Sequence, residues 1–396
     1  MMKIISVNSG SSSLKFQLYQ MPEETVIASG QVEKIGFKDS VCTLKHNGEI
    51  RKETLAVKNH TQAAKLIIDG LINEQVLTSM QEINGVGHRI VQGGEVFDRS
   101  TLVNKKVIEQ ILILGEMAPL HNYAHVEAIN GFLKVLPDIP HVVVFDTTFH
   151  QTMKADAYMY STPYEWYLNY GIRKYGFHGS SHKYVSEKTN ELLKLENSKV
   201  IVCHIGNGAS LSAVVNGKCV DTSMGFTPLE GIPMGTRTGS LDPAILSYME
   251  KKLNVSSDEM YEILNKKSGY LGVSQLSSDA RDLEEAAFRG HKQAILAFEL
   301  QAKRIADYIG SYYVYMGGLD AVSFTAGIGE NSPYLRKLVL ERLKVLGVLI
   351  DEEANNNNRL LISSPDSKVK IYVIKTNEEL VIARDTMAFI KNNNIV

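Results

Sequence analysis

The chain has 396 residues, 44% hydrophobic and 22% charged, with a formal net charge of -2. It can bury ample core but exceeds the usual size of one compact unit, so two domains are expected, and the near-balanced charge excludes the broad basic footprint of a nucleic-acid binder. Only Cys42, Cys203 and Cys219 occur, at no metal-ligand spacing, the N-terminus lacks a signal-peptide core, and no apolar run approaches the roughly 20 residues that span a bilayer. A soluble cytoplasmic protein with no membrane or nucleic-acid partner is the expectation.

The first element is a hairpin. Ile4, Ile5 and Val7 form a short apolar strand, Gly10 permits an abrupt turn, and Leu14, Phe16 and Leu18 alternate along a second strand. Ser11 to Ser13 offer hydroxyls and amides and Lys15 a positive charge, as a phosphate-binding turn needs; a plain polar turn is the alternative. Next, GHRIVQGGE places Arg89 after a Gly-x-Gly-type turn and before Gly93 and Gly94. The apolar neighbours Val86, Ile90 and Val91 argue for a cleft over a solvated surface. In VVVFDTTFH four apolar residues run into Asp146, putting a carboxylate at the carboxyl end of a buried strand, where open α/β sheets bind ligands; a helix N-cap is the competing explanation. The polar segment after His150 marks a domain boundary.

YGFHGSSH then presents His178, with Ser180 and Ser181 as caps of the following helix and His182 unassigned. The hairpin pattern recurs from Val200 to Val215 around Gly206, Asn207 and Gly208, which suggests a second phosphate-gripping lobe. IPMGTRTGSLDP sets Arg237 among small residues that let its guanidinium fork approach a planar anion. A third Gly-rich turn, Val322 to Pro333, follows a strand-like run and leads into a helical pattern from Leu335 to Leu343. None of the three turns is a Walker A loop or completes G-x-G-x-x-G, which argues against P-loop and Rossmann folds. The Asn355–Asn358 and Asn392–Asn394 runs read as a surface loop and a frayed end. In TNEELVIARD, Glu378 sits on a first helical turn, either as a dipole partner or as a metal-facing carboxylate. Strand-like runs (142–145, 199–204, 322–325, 370–374) alternate with helical ones such as 292–309, an α/β pattern in which each half carries its own sheet. Phosphate turns, two loop arginines, a histidine and the oxygen ligands Asn8, Asp146 and Glu378 together form an inventory suited to phosphoryl transfer.

With APLHN, DTSMGFTPLEG and SSDARD, these segments match, in order and over essentially the full length, those of the acetokinase family of short-chain carboxylate kinases. The chain resembles that family, and through it the sugar kinase, heat-shock chaperone and actin superfamily. The resemblance implies two ribonuclease H-like α/β domains of mixed sheets flanked by helices around a central nucleotide cleft. Residues 1–150 with about 382–396 would form the acceptor and metal side, and 151–381 the nucleotide-binding domain. It implies reversible in-line transfer of the ATP γ-phosphoryl group to acetate, giving acetyl phosphate and ADP, in a homodimer using Mg2+ with Mn2+ able to substitute. Residue by residue, Asp146, His178 and Arg237 would be catalytic. Arg89, Val91, Leu120, His121, Phe177 and Pro228 would bind the acceptor, and Asn8 and Glu378 the metal. Lys15, His204, Ile205, Gly206, Asn207, Gly208, Asp279, Ala280, Arg281, Gly327, Ile328, Gly329, Glu330 and Asn331 would line the ATP site. Gln92, Tyr123 and Ser240 depart from the family's common residues, the first two beside the acceptor pocket. Propionate or butyrate as acceptor, or a non-kinase ATP clamp, are the rival functions.

Overall fold

The computed structural model describes residues 1–119 and 121–394. Its contacts divide the chain into two units, Met1–Thr148 with Asn377–Val396, and Phe149–Thr376. Among the described residues no helix is long and apolar enough to cross a membrane.

The first unit is built on an eight-stranded mixed sheet with strands β1 (Met2–Ser9), β2 (Ser13–Met21), β3 (Thr25–Glu33), β4 (Ser40–His46), β5 (Glu49–Leu55), β6 (Ile83–Ile90), β7 (Thr101–Leu102) and β8 (His141–Phe145), in the order β5-β4-β3-β2-β1-β6-β8-β7. β1 pairs antiparallel with β2 and parallel with β6, which pairs parallel with β8. Because strand side chains alternate, Ile5, Val7, Leu14, Phe16 and Leu18 reach one face. There they pack with Ala64, Ile67, Ile68 and Leu71 of helix His60–Asn73 and with Ala128 and Phe132 of helix Asn122–Val135. The opposite face receives the closing helix Glu378–Asn392. That packing corrects one expectation: Gly85 and Gly87 lie inside β6 and make no turn before Arg89. A methyl group at Gly85 would strike Ile390, and one at Gly87 would strike Thr386 and Ile382, so the glycines are there to let the helix approach.

The second unit repeats the local plan. Strands β9 (Lys199–Ile205), β10 (Ala209–Val215), β11 (Lys218–Thr222), β12 (Ala321–Thr325) and β13 (Lys370–Val373) form a sheet ordered β11-β10-β9-β12-β13. β9 and β10 are an antiparallel hairpin, and β12 lies parallel to β9 on its other side, as β6 does to β1. The helical run beginning at Lys292 continues to Met316, where Gly317 adopts a left-handed conformation and ends it.

In the asparagine run, Asn356, Asn357 and Asn358 are exposed as expected, but Asn355 is a second correction. Asn355 lies in helix Glu352–Asn356 and is fully buried. Its side-chain and main-chain oxygens accept from Arg336 at 2.8 and 2.9 Å, and Asn358 Oδ1 accepts from the same guanidinium at 2.6 Å. Arg336 also donates to Gly329 O at 2.8 Å. This fully buried arginine is satisfied by neutral oxygens, and burial holds its pKa down at about 10. A surface loop could not supply such a socket, and asparagine suits it because its carbonyl accepts without adding charge. Asn393 and Asn394, by contrast, are exposed at the chain's end.

Candidate active site

In the first unit, the parallel strands β1, β6 and β8 bring Asn8, Arg89 and Asp146 together at their carboxyl ends, the ligand-binding end of such sheets. Arg89 makes a bidentate pair with the buried Asp146, Nε to Oδ1 at 2.9 Å and Nη2 to Oδ2 at 2.7 Å, and its Nη1 reaches Asn8 Oδ1 at 3.3 Å. Burial works against the charge on Arg89, but the fields of Asp146 and Glu378 outweigh it and raise its pKa. Glu378 opens the closing helix, whose N-cap Asn377 accepts from Leu380 N. Burial pushes the Glu378 carboxyl up to about 7, Arg89 opposing and Asp146 adding to the rise. Lys15, exposed on β2, is the cross-strand partner of Asn8 and lines a pocket of about 190 Å³ with Gln17, Gln31, Lys45 and Glu379. Val91 is buried, and His121 immediately precedes helix Asn122–Val135 with its ring 6.4 Å from that of His125. Leu120 lies outside the described residues.

No group of three His, Cys, Asp or Glu side chains suited to a metal occurs among the described residues. Magnesium does not require one, because it keeps several waters and is bound through one or two carboxylates together with substrate phosphates. Asn8 Oδ1 and the Glu378 carboxylate, grouped around Arg89 with Asp146, are hard oxygen donors of that kind, and the donor chemistry fits the ion.

The second unit brings a histidine, a glycine and an arginine from three separate motifs to one point. A methyl group placed on Gly208 would lie 3.3 Å from Arg237 Nη1 and 3.6 Å from His178 Nε2, so the absent side chain leaves a space that both nitrogens face. Arg237 donates from Nη1 to Pro228 O at 3.1 Å and meets no carboxylate among the described residues; burial depresses its pKa. His178 sits at the head of helix Gly179–Leu193 in a left-handed conformation, φ +57°, an arrangement that costs a non-glycine residue on the order of 1 kcal/mol and collects at functional sites. Its Nδ1 bonds Ser210 Oγ at 2.9 Å, the same hydroxyl bonds His182 Nε2 at 2.8 Å, and the ring stacks on His204 at 4.2 Å. Ser180 and Ser181 are not the expected caps: they lie buried within the helix, and Ser181 Oγ bonds His204 Nδ1 at 2.7 Å and Thr376 Oγ1 at 2.8 Å. His182 is fully buried and its pKa falls well below the ordinary value, through burial and then through the neighbouring His150 and His204 rings. Phe177 is buried and Pro228 half-buried.

Three segments widely spaced in sequence line one pocket of about 740 Å³: Asn207, then Asp279, Ala280 and Arg281, then Gly327, Ile328 and Asn331. That volume suits a nucleotide. Gly206 N donates to Gly208 O at 3.1 Å, and a methyl group on Gly206 would touch Ala326 Cβ at 3.7 Å, so the second and third Gly-rich turns are neighbours. The third turn is itself a short helix, Ala326–Asn331, and Ala326 has φ +66°. Glu330 holds that strained start: its Oε1 accepts from Ala326 N at 2.8 Å and from Thr376 N at 3.2 Å. Asp279 caps the helix Ala280–Phe288, and its hydrogen bonds to Arg281 hold its carboxyl down to about 2.

Sequence reasoning did not single out Ser210, Arg336 or the strain at Ala326. Ser210 follows the Gly208 turn by two residues in an alternating strand, which was a usable signal. Arg336 carried none, because an arginine on an amphipathic helix ordinarily faces water.

A family model described as the acetokinase family matches residues 3–384. The chain is 54% identical over 388 residues to the acetate kinase of Acholeplasma laidlawii, covering 98% of this chain and 99% of that one. It is 53% identical over 391 residues to the acetate kinase of a Geobacillus species, with 98% of each covered. Among solved structures, Porphyromonas gingivalis acetate kinase and a Francisella tularensis propionate kinase each superpose with a TM-score of 0.93 at 41% identity, covering 98% of this chain and all of theirs.

Proposed function

The chain belongs to the acetokinase family, a phosphotransferase with a carboxyl group as acceptor, and we propose that it carries the γ-phosphoryl group of ATP reversibly onto acetate, giving acetyl phosphate and ADP. What supports this most directly is the pair of nitrogens, Arg237 Nη1 and His178 Nε2, that converge over Gly208 with no carboxylate on the arginine among the described residues. A receptor of that kind suits a planar, multiply charged group whose equatorial oxygens gain from fixed positive donors.

A small fatty acid resembles a glutamate side chain, with a pKa of about 4.3, and is already ionised at neutral pH. Its attack needs no general base. Asp146, paired with Arg89 through two hydrogen bonds, would act by orienting its partners more than by moving protons. The difficulty is bringing one anion onto another. Arg89 would meet the acceptor carboxylate, Arg237 and His178 the transferring group, and the Ser210 hydroxyl, shared with His182, fixes the His178 ring so that its Nε2 faces Gly208. The turns around Gly208 and Gly329 and the segment Asp279 to Arg281 would hold the nucleotide, with Lys15 on its phosphates. When bound, Mg2+, or Mn2+ in its place, would neutralise phosphate charge, and Asn8 and Glu378 are the residues to hold it.

The acceptor is proposed as acetate over propionate, and Val91, Leu120, His121, Phe177 and Pro228 are the residues proposed to bind it. The enzyme would work in the cytoplasm as a homodimer, which sedimentation would check. An acceptor panel of acetate, propionate and butyrate, read by trapping acyl phosphate as hydroxamate, tests reaction class and chain length together. Acetate should give the highest kcat/KM; ATP loss without hydroxamate would mean an ATP clamp instead.

A further inference from the structure

His60 is the first residue of helix His60–Asn73, yet it does not cap that helix, a task done by the Asn59 side chain. It is 3% exposed, its Nε2 lies 2.9 Å from Gly10 O, and its Nδ1 lies 3.3 Å from Glu127 Oε2 on helix Asn122–Val135. A carbonyl can only accept, so Nε2 carries the hydrogen, and Glu127 holds the ring from the other side. The two helices meet closely here: a methyl group on Gly131 would lie 3.0 Å from the His60 backbone, which fixes where the histidine starts. Two residues before Glu127, the buried His125 lies near the backbone of Ser9. The first hairpin turn is thus held at Gly10 O by His60, while Gly10 N closes it on Ser13 O at 2.8 Å.

In a trans peptide the carbonyl and the following N–H point in opposite directions. Fixing Gly10 O toward His60 therefore turns the Ser11 N–H away from the helix, and this exposed amide has no protein acceptor among the described residues. A free amide held in a fixed direction, in the turn that leads into the strand carrying Lys15, is what an anion-binding turn requires. We propose that His60 is a positioning residue for the nucleotide phosphates, aiming the Ser11 amide by its hydrogen bond to Gly10 O.

This rests on the first hairpin gripping phosphate, as proposed above, and the test separates the two. KM for MgATP, KM for acetate and kcat are measured on the full chain for His60→Asn, His60→Gln and Lys15→Met. Glutamine can place its amide nitrogen where Nε2 stands and asparagine cannot. His60→Asn should raise KM for ATP about fivefold or more and leave KM for acetate within about twofold, and His60→Gln should restore the wild-type value. Equal rises in both variants, or an equal rise in KM for acetate, would assign His60 to packing and overturn the proposal. So would an unchanged KM for ATP in His60→Asn where Lys15→Met raises it, the hairpin then keeping its role without His60. An unchanged KM in Lys15→Met as well would remove the hairpin from the phosphate site, and His60 with it. If His60→Asn does not fold, Glu127→Ala decides at a side chain 71% exposed: about a twofold rise supports the proposal, and none overturns it.

Discussion

Arg89 and Arg237 each lie among glycines, and they end in opposite electrostatic circumstances. In the first unit Arg89 is locked to the buried Asp146 by two hydrogen bonds, with Glu378 close enough to add to the field. In the second unit Arg237 is half-buried, bonded among the described residues only to carbonyl and thioether acceptors, and destabilised as a cation by its burial. The difference separates two uses of one side chain. A paired arginine is a rigid fixture whose direction is set before substrate arrives. An arginine buried without a counter-charge recovers its lost solvation only when an anion binds, so its favourable energy is reserved for the ligand.

The sharpest way to break that comparison is Asp146→Ala. It strands Arg89 without its carboxylate, and urea unfolding should show a loss of about 3 kcal/mol, the lower end for breaking a buried pair because Glu378 remains nearby. A loss below about 1 kcal/mol would mean that the pair is not what holds Arg89. Arg237→Ala should do the reverse, lowering kcat by about 10²- to 10³-fold while stability stays within about 1 kcal/mol. Retention of more than about a third of wild-type turnover would end the transition-state role.

A smaller effect concerns the buried His182 behind Arg237's partner. The His182 ring titrates well below its ordinary value when folded, so below about pH 6.5 the unfolded chain binds a proton that the folded chain refuses. Its contribution is complete above that pH and falls by up to about 1.4 kcal/mol for each unit below it. His182→Gln should therefore flatten the dependence of unfolding free energy between pH 7 and 5, and an unchanged slope would contradict the shift. Smallest of all, Val91→Ala should improve kcat/KM for propionate or butyrate relative to acetate by about 1 kcal/mol, or roughly fivefold. Unchanged relative specificity would take Val91 out of the acceptor pocket.

Much of this was legible along the chain. The strand that leads into Asp146 is buried at every position, and the closing helix begins at Glu378 as its position after an apolar strand implied. Both hairpins form where glycine and alternation placed them. What misled were residues whose purpose lies with a distant partner. Gly85 and Gly87 resemble a turn until Ile382, Thr386 and Ile390 occupy the space above them. Asn355 resembles a polar loop until Arg336 is buried against it, and Ser181 resembles a helix cap until His204 lies beside it.

The sequence alone determined the strands, the turns and the chemical types available at the ends of the strands, because these follow from side-chain period, backbone permissiveness and charge within a few residues. Only the tertiary structure decided that Arg89 would be neutralised and Arg237 left uncommitted, and that His178, Gly208 and Arg237 would converge. A pKa and a hydrogen-bond partner depend on what lies within a few ångströms in space, and here those neighbours are separated by 29 to 289 positions in sequence, from Gly208 and Arg237 to Arg89 and Glu378.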